Sequence, residues 1–228
     1  MSEENVAQAG RHIKDVGVVD LRYAKSIEDL ADIKSISDVG VILFPEELIG
    51  AIGRIDIHDV GGIVPVPAGG KVNCLTGQTR LKGESLQTGD SDTTLILVGQ
   101  TFITTPVVSV GYKEIRVVGQ LFAIRGSESA LSAKITSLTG QNFYLPQDPR
   151  FIMGEETFTQ EFLELLPDGT TFVIMGNVHF AADVTRDMLL KKLSEIVLMG
   201  VINAPSNLVP ALQVITKDKM GEIKSNDA

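Results

Sequence analysis

Apolar residues come in short runs along this chain, and a glycine follows many of those runs at a near-constant interval. In order they are Asp15-Val16-Gly17, Asp38-Val39-Gly40, Asp59-Val60-Gly61, Leu75-Thr76-Gly77, Leu97-Val98-Gly99, Val117-Val118-Gly119, Leu138-Thr139-Gly140, Ile152-Met153-Gly154, Ile174-Met175-Gly176, Leu198-Met199-Gly200 and Lys219-Met220-Gly221. The steps between glycines are 23, 21, 16, 22, 20, 21, 14, 22, 24 and 21 residues, so two are short and the rest cluster near 22. Self-similarity at that period is the mark of a solenoid, in which each repeat adds one coil to a continuous core.

The pattern between glycines divides the chain into zones. Residues 1–14 read as a flexible lead and 222–228 as a polar tail. Residues 15–221 read as one elongated solenoid domain. In 15–70, strands alternate with helix candidates: Ser26–Asp32 has a serine before two acids, and Pro45–Ile52 puts Pro and two acids in a first turn. In 71–145 these signals vanish. Gly77-Gln78, Gly99-Gln100, Gly119-Gln120 and Gly140-Gln141 recur among alternating Thr, Val and Ile, which predicts all-β coils, with Lys82–Thr93 as a surface loop. In 146–221 helices return. Glu155–Leu166 carries Phe158, Phe162, Leu165 and Leu166 at helical spacing, Thr185–Leu193 has a cap and basic end, and Pro205–Leu212 is a shorter candidate containing Pro210. Strands are expected at Thr171–Met175 and Glu195–Met199. The fold class is thus a right-handed α/β and β solenoid with parallel strands, helix-containing coils at both ends and all-β coils in the centre.

Three physical roles fit the recurring glycine: positive φ at a sharp turn, a bulge, or close contact between coils. The glutamines that follow four of them are expected to form a hydrogen-bonded ladder. Val98 and Val118 are expected to point inward.

Composition narrows the function. The chain has 228 residues, no Trp, three Tyr and a formal charge of −9. That charge argues against a phosphate-neutralising nucleic-acid binder and against docking on an anionic membrane. Cys74 is the sole cysteine, so no intrachain disulfide and no cysteine-based zinc site forms within one chain. Residues 1–11 lack the basic start and apolar core of a signal peptide, and no apolar run approaches the ~20 residues that span a bilayer. The expected location is cytoplasmic.

Two stretches resemble leucine-rich-repeat proteins. Ile52-x-x-Ile55-x-Ile57 and Leu193-x-x-Ile196-x-Leu198 match that class's Leu-x-x-Leu-x-Leu frame, although Val60 and Val201 stand where its Asn would be. The centre is similar to parallel β-helix proteins. No specific family is matched. Both classes serve chiefly as binding or scaffold surfaces, and the resemblance implies that kind of role.

Chemistry-bearing residues do not converge in the sequence. His12 falls in the lead. Asp56, His58 and Val60 share one strand face by alternation, and His179 lies in Asn177-Val178-His179-Phe180. None has the spacing of a metal site. A Cys74–His58 pair on adjacent coils is the one nucleophile arrangement on offer, against a small buried role for Cys74. Gly61–Lys71 resembles a phosphate loop but lacks Gly-Lys-Ser/Thr and carries prolines, so it reads as a corner between zones. Glu46-Glu47 and Glu155-Glu156 read as helix starts. Arg80, Lys113, Arg116 and Arg125 are scattered. The expectation is therefore no catalytic, cofactor-binding or metal site and no cofactor. The chain reads as a non-catalytic scaffold or protein-binding module that self-associates through solenoid ends or edges, without nucleic-acid or membrane partners. Two rivals stand beside it: a β-helix carbohydrate-active enzyme and an acidic mimic of nucleic acid.

Overall fold

The computed structural model describes residues 10–226, and the chain divides into two compact units, one up to Tyr144 and one from Leu145. Both are built mostly of parallel β-sheet with few helices. Residues 1–9 of the expected lead and 227–228 of the expected tail lie outside the described residues. Strand begins at Arg11, within the segment read as a lead, and Glu222–Ser225 of the segment read as a tail is also strand.

The first unit holds two sheets. One consists of β1 (Arg11–Asp20), β2 (Ile33–Pro45), β3 (Asp56–Val60) and β4 (Ile63–Val66). β3 pairs with the first half of β2 and β4 with its second half. The other runs in the order β5 (Lys71–Leu81), β6 (Thr93–Ile103), β7 (Glu114–Ile124) and β8 (Ile135–Leu145). In the second unit, β9 (Arg150–Ile152), β11 (Thr170–Ile174), β13 (Leu193–Leu198) and β15 (Thr216–Lys219) form one sheet. The other contains β10 (Glu155–Phe158), β12 (Asn177–Phe180), β14 (Val201–Ala204) and β16 (Glu222–Ser225). Partners in the ladders are residues one period apart, such as Val16, Val39 and Val60, or Gly77, Gly99 and Gly119.

The glycines stack, but in three columns: Gly17–Gly40–Gly61, Gly77–Gly99–Gly119–Gly140 and Gly154–Gly176–Gly200–Gly221. Within each column a Cβ on one glycine would overlap the carbonyl oxygen of the glycine before it. At the heads of the columns, Gly17, Gly77 and Gly154, the same space is open. The two short steps, 16 residues from Gly61 to Gly77 and 14 from Gly140 to Gly154, are where one column ends and the next begins. Within the first unit the glycine stacking is therefore interrupted once, between Gly61 and Gly77.

Close approach between coils explains every glycine after the first in its column, whereas at the heads Gly77 and Gly154 it is the positive φ, 83° and 94°, that favours glycine. In the first column the left-handed residue is the aspartate two positions earlier, with φ of 59°, 52° and 54° at Asp15, Asp38 and Asp59. Aspartate tolerates this region better than most residues. The extra residue shifts the alternation, so Ile36 and Val39, three apart, face the same core. For the same reason Val60 packs inward while Asp56 and His58 stay exposed; the expected shared face is corrected. In the second column the glycine itself turns left-handed, with φ from 83° at Gly77 to 130° at Gly140.

Four clusters hold the stacks. The first sheet encloses Leu30, Ile36, Ile42 and Phe44, and the second encloses Leu95, Leu97, Val117 and Leu121. The two sheets of the first unit meet through Val41, Leu43, Val64 and Val66 on one side and Ile96, Val98 and Val118 on the other. β6 and β7 are therefore buried on both faces, which explains their unbroken apolar runs. Val98 and Val118 are each 7% exposed, as their expected inward facing requires. The second unit is centred on Phe158, Phe172, Phe180, Leu189 and Leu198.

Helices differ from expectation in four places. The centre is not free of them: α1 (Gly83–Gln87) lies in the segment read as a loop and is anchored by Leu86, and α2 (Glu128–Ser132) is anchored by Leu131. The candidates in 15–70 are 3-10 helices, Glu28–Leu30 and Glu46–Arg54. Glu155–Leu166 splits, because Glu155–Phe158 pairs as strand β10 against β12 and only Gln160–Glu164 is helical, α3. Thr159 caps α3 by accepting from the Phe162 N–H, so Leu163 faces inward and Leu165 stands 81% exposed. α4 (Arg186–Lys192) starts at the expected Thr185 cap. α5 (Val209–Ile215) begins later than expected and holds Pro210 in its first turn, where the missing N–H costs nothing.

Candidate functional site

The expected glutamine ladder is present. Gln78 Nε2 donates to Gln100 Oε1 at 3.2 Å, and Gln100 Nε2 donates to Gln120 Oε1 at 2.9 Å. Two residues beyond each glutamine lies a second column that sequence reasoning missed. Phe102 and Phe122 stack with centroids 4.7 Å apart, and Phe122 and Phe143 at 5.1 Å. The Arg80 guanidinium sits over the other face of Phe102, 5.9 Å from its centroid. The signal was in the chain: the residue three after each glycine of this column is Arg80, Phe102, Phe122 or Phe143. The rings lie on one line because the glycines fix the register of every coil.

At the opposite end of the same strands lies a half-buried ionic cluster. Glu114 Oε1 accepts from Arg116 Nη2 at 3.0 Å and from Thr94 Oγ1 at 3.0 Å, and its Oε2 accepts from Thr136 Oγ1 at 2.8 Å. Arg116 also donates to the Pro65 carbonyl, which ties the two sheets of the unit together. Burial pushes the Glu114 carboxyl up, but the hydrogen bonds from Thr136 and Thr94 and the charge of Arg116 outweigh it and hold it below the usual glutamate value. A carboxylate depressed in the folded state contributes stability above its ordinary value, and that contribution is lost as pH falls through the folded value. Glu114→Gln is expected to lower stability at neutral pH by about 2 kcal/mol, the order of a charged hydrogen-bond set. It is also expected to flatten the loss of melting temperature below pH 4.5, the ordinary glutamate value. A melting series from pH 7 downward on both proteins checks this; equal slopes would assign the acid sensitivity elsewhere.

The other residues singled out do not converge. His12 lies in β1, not in a mobile lead, with Nδ1 2.7 Å from Ser35 Oγ. His58 is exposed, 3.8 Å from Asp56. Cys74 is half-buried against the inter-sheet cluster, near Arg22 and Asp20, and burial pushes its thiol up. The Cys74–His58 pair is therefore not formed. His179 Nε2 stands 3.1 Å from Asn177 Nδ2 and 3.5 Å from Glu155 Oε1 on the outer side of its sheet. Glu47 accepts from the Ala68 N–H, while Arg22 donates to the Gly70 carbonyl, so Gly61–Lys71 is a braced link between the two sheets of the first unit. Glu155 and Glu156 belong to β10, not to a helix start. Arg125 is exposed, whereas Arg116 is drawn into the ionic cluster. Among the described residues, no group of three or more His, Cys, Asp or Glu is placed to hold a metal. Hollows among the described residues include one of about 300 Å³ lined by Ile27, Leu30, Lys34 and Arg54 and one of about 550 Å³ lined by Asp148, Arg150, Asp168 and Thr170.

No protein-family model matches the chain, and no curated protein or solved structure matches it either. Among the described residues no helix is long and apolar enough to cross a membrane.

Proposed function

We propose that this chain is a non-catalytic, solenoid-type scaffold that binds protein, its own copies included, through the edges of its stacked strands. The observation that carries the reading is the stacking itself. Each strand finds its ladder partner one coil away, so the end strands of every sheet present backbone donors and acceptors along one side. Such edges template pairing with a further strand. The side-chain ladders of glutamine and phenylalanine add in-register contacts that repeat from coil to coil.

Light scattering coupled to small-angle X-ray scattering over a concentration series tests it. The expected result is a mass that rises with concentration. A monomer mass at every concentration would overturn the self-associating reading.

A further inference from the structure

The edges differ in how they are protected. Native edge strands avoid unwanted pairing with charges or proline. β1, β3, β5, β9, β10, β15 and β16 each carry charged residues, and β4 carries Pro65. β8, Ile-Thr-Ser-Leu-Thr-Gly-Gln-Asn-Phe-Tyr-Leu, has neither charge nor proline over its 11 residues. It is the last strand of its sheet, and Thr136 to Asn142 are exposed.

The opposite edge of that sheet matches it. β5 is also 11 residues long, and its glycine, glutamine and position three after the glycine keep the same spacing as those of β8, one place later in the strand. The glutamine ladder has a direction: each amide N–H donates toward the higher-numbered coil. Laid on Gln141, a further Gln78 continues it as the next rung. The aromatic column is capped by Arg80 at the Phe102 end and terminates in a half-buried ring, Phe143, at the other. A further Arg80 in the same register falls on the outer face of Phe143, where a guanidinium is attracted to the ring.

Resting on the scaffold reading above, we propose that the partner is a second copy of this chain and that the contact is head-to-tail: β8 of one copy pairs in parallel with β5 of the next, Gly140 on Gly77, Gln141 on Gln78 and Phe143 on Arg80. The two surfaces are different, so the contact is heterologous, and each added copy presents a fresh β8.

The register is read by cross-linking. The full chain carrying Cys74→Ser, Gln78→Cys and Gln141→Cys has two exposed thiols. Within one copy they are separated by three strand spacings, about 14 Å. That exceeds the ~7 Å limit between Cα atoms for a disulfide. Mild oxidation is expected to give covalent dimers, trimers and longer species that collapse on reduction, while the Gln78→Cys and Gln141→Cys proteins taken singly, each with Cys74→Ser, give none. Arg80→Glu alone, which leaves every cysteine native, is expected to abolish the rise of mass with concentration. Dimers from a single-cysteine protein would show a symmetric contact and overturn the proposal. Mass growth without cross-links in the double-cysteine protein, or unchanged growth in Arg80→Glu, would overturn this register and edge while leaving the scaffold reading standing. A strict monomer would overturn both.

Discussion

Val98→Asp is expected to prevent the first unit from folding. Val98 sits 7% exposed in the layer where the two sheets of that unit meet, among Val41, Val64, Ile96 and Val118. No cation or hydrogen-bond donor of that cluster is available to a carboxylate, because its members are aliphatic apart from the thiol of Cys74. Burying an unpaired charge costs on the order of several kcal/mol, and the aspartate would either carry that cost or force the sheets apart. A domain stabilised by roughly 5–15 kcal/mol does not absorb such a loss without populating unfolded chain. Circular dichroism melts of Val98→Asp and of the milder Val98→Ala check it. Val98→Ala removes two methyl groups and should melt measurably lower yet remain folded. If Val98→Asp keeps the parent melting temperature, the inter-sheet layer is misplaced.

Gly119→Ala is the second large effect, and it acts through backbone alone. Gly119 has φ of 129°, a conformation that a residue with a Cβ rarely adopts. Strain of that kind costs roughly 1–3 kcal/mol. The new methyl would also overlap the carbonyl oxygen of Gly99, one coil away, which no side-chain adjustment relieves. The coil must shift, and with it the glutamine and phenylalanine ladders on either side. Gly126→Ala is the control: its φ is 93°, but nothing lies within 4 Å of the added atom. The expected order of melting temperatures is parent, then Gly126→Ala, then Gly119→Ala well below. Equal losses for the two variants would show that strain alone matters and that the close stacking does not.

The glycine interval makes the coil spacing legible in the amino-acid sequence, because a backbone contact that excludes Cβ leaves the same residue at every coil after the first of a column. The glutamine ladder is legible for the same reason. The breaks between columns are also written in the spacing, as the steps of 16 and 14 residues, but a repeat count alone does not say whether a short step is a short coil or a new stack. The phase shift at Asp38 and Asp59 is hidden, since alternation assumes that no residue turns left-handed within a strand. α1 and α2 escape a sequence reading because helices of five residues bury one leucine each, too little for a helical period to show. The Arg80–Phe143 column escapes it because the column joins residues of different chemistry, an arginine at one end and phenylalanines after it. Only the shared offset from the glycine, not the residue type, marks the column.

Inside a column the interval between glycines stays between 20 and 24 residues, whereas the glycines reached after the joins, Gly77 and Gly154, have open space where a Cβ would sit. That spread is taken up in the loops between stacked strands, whereas an insertion within a strand carries the next glycine off its neighbour's carbonyl. The join after Gly61 is braced by Glu47 and Arg22, so long insertions belong in the join after Gly140, and a foreign peptide placed between Pro146 and Pro149 should be carried with the ladders of each unit left in phase.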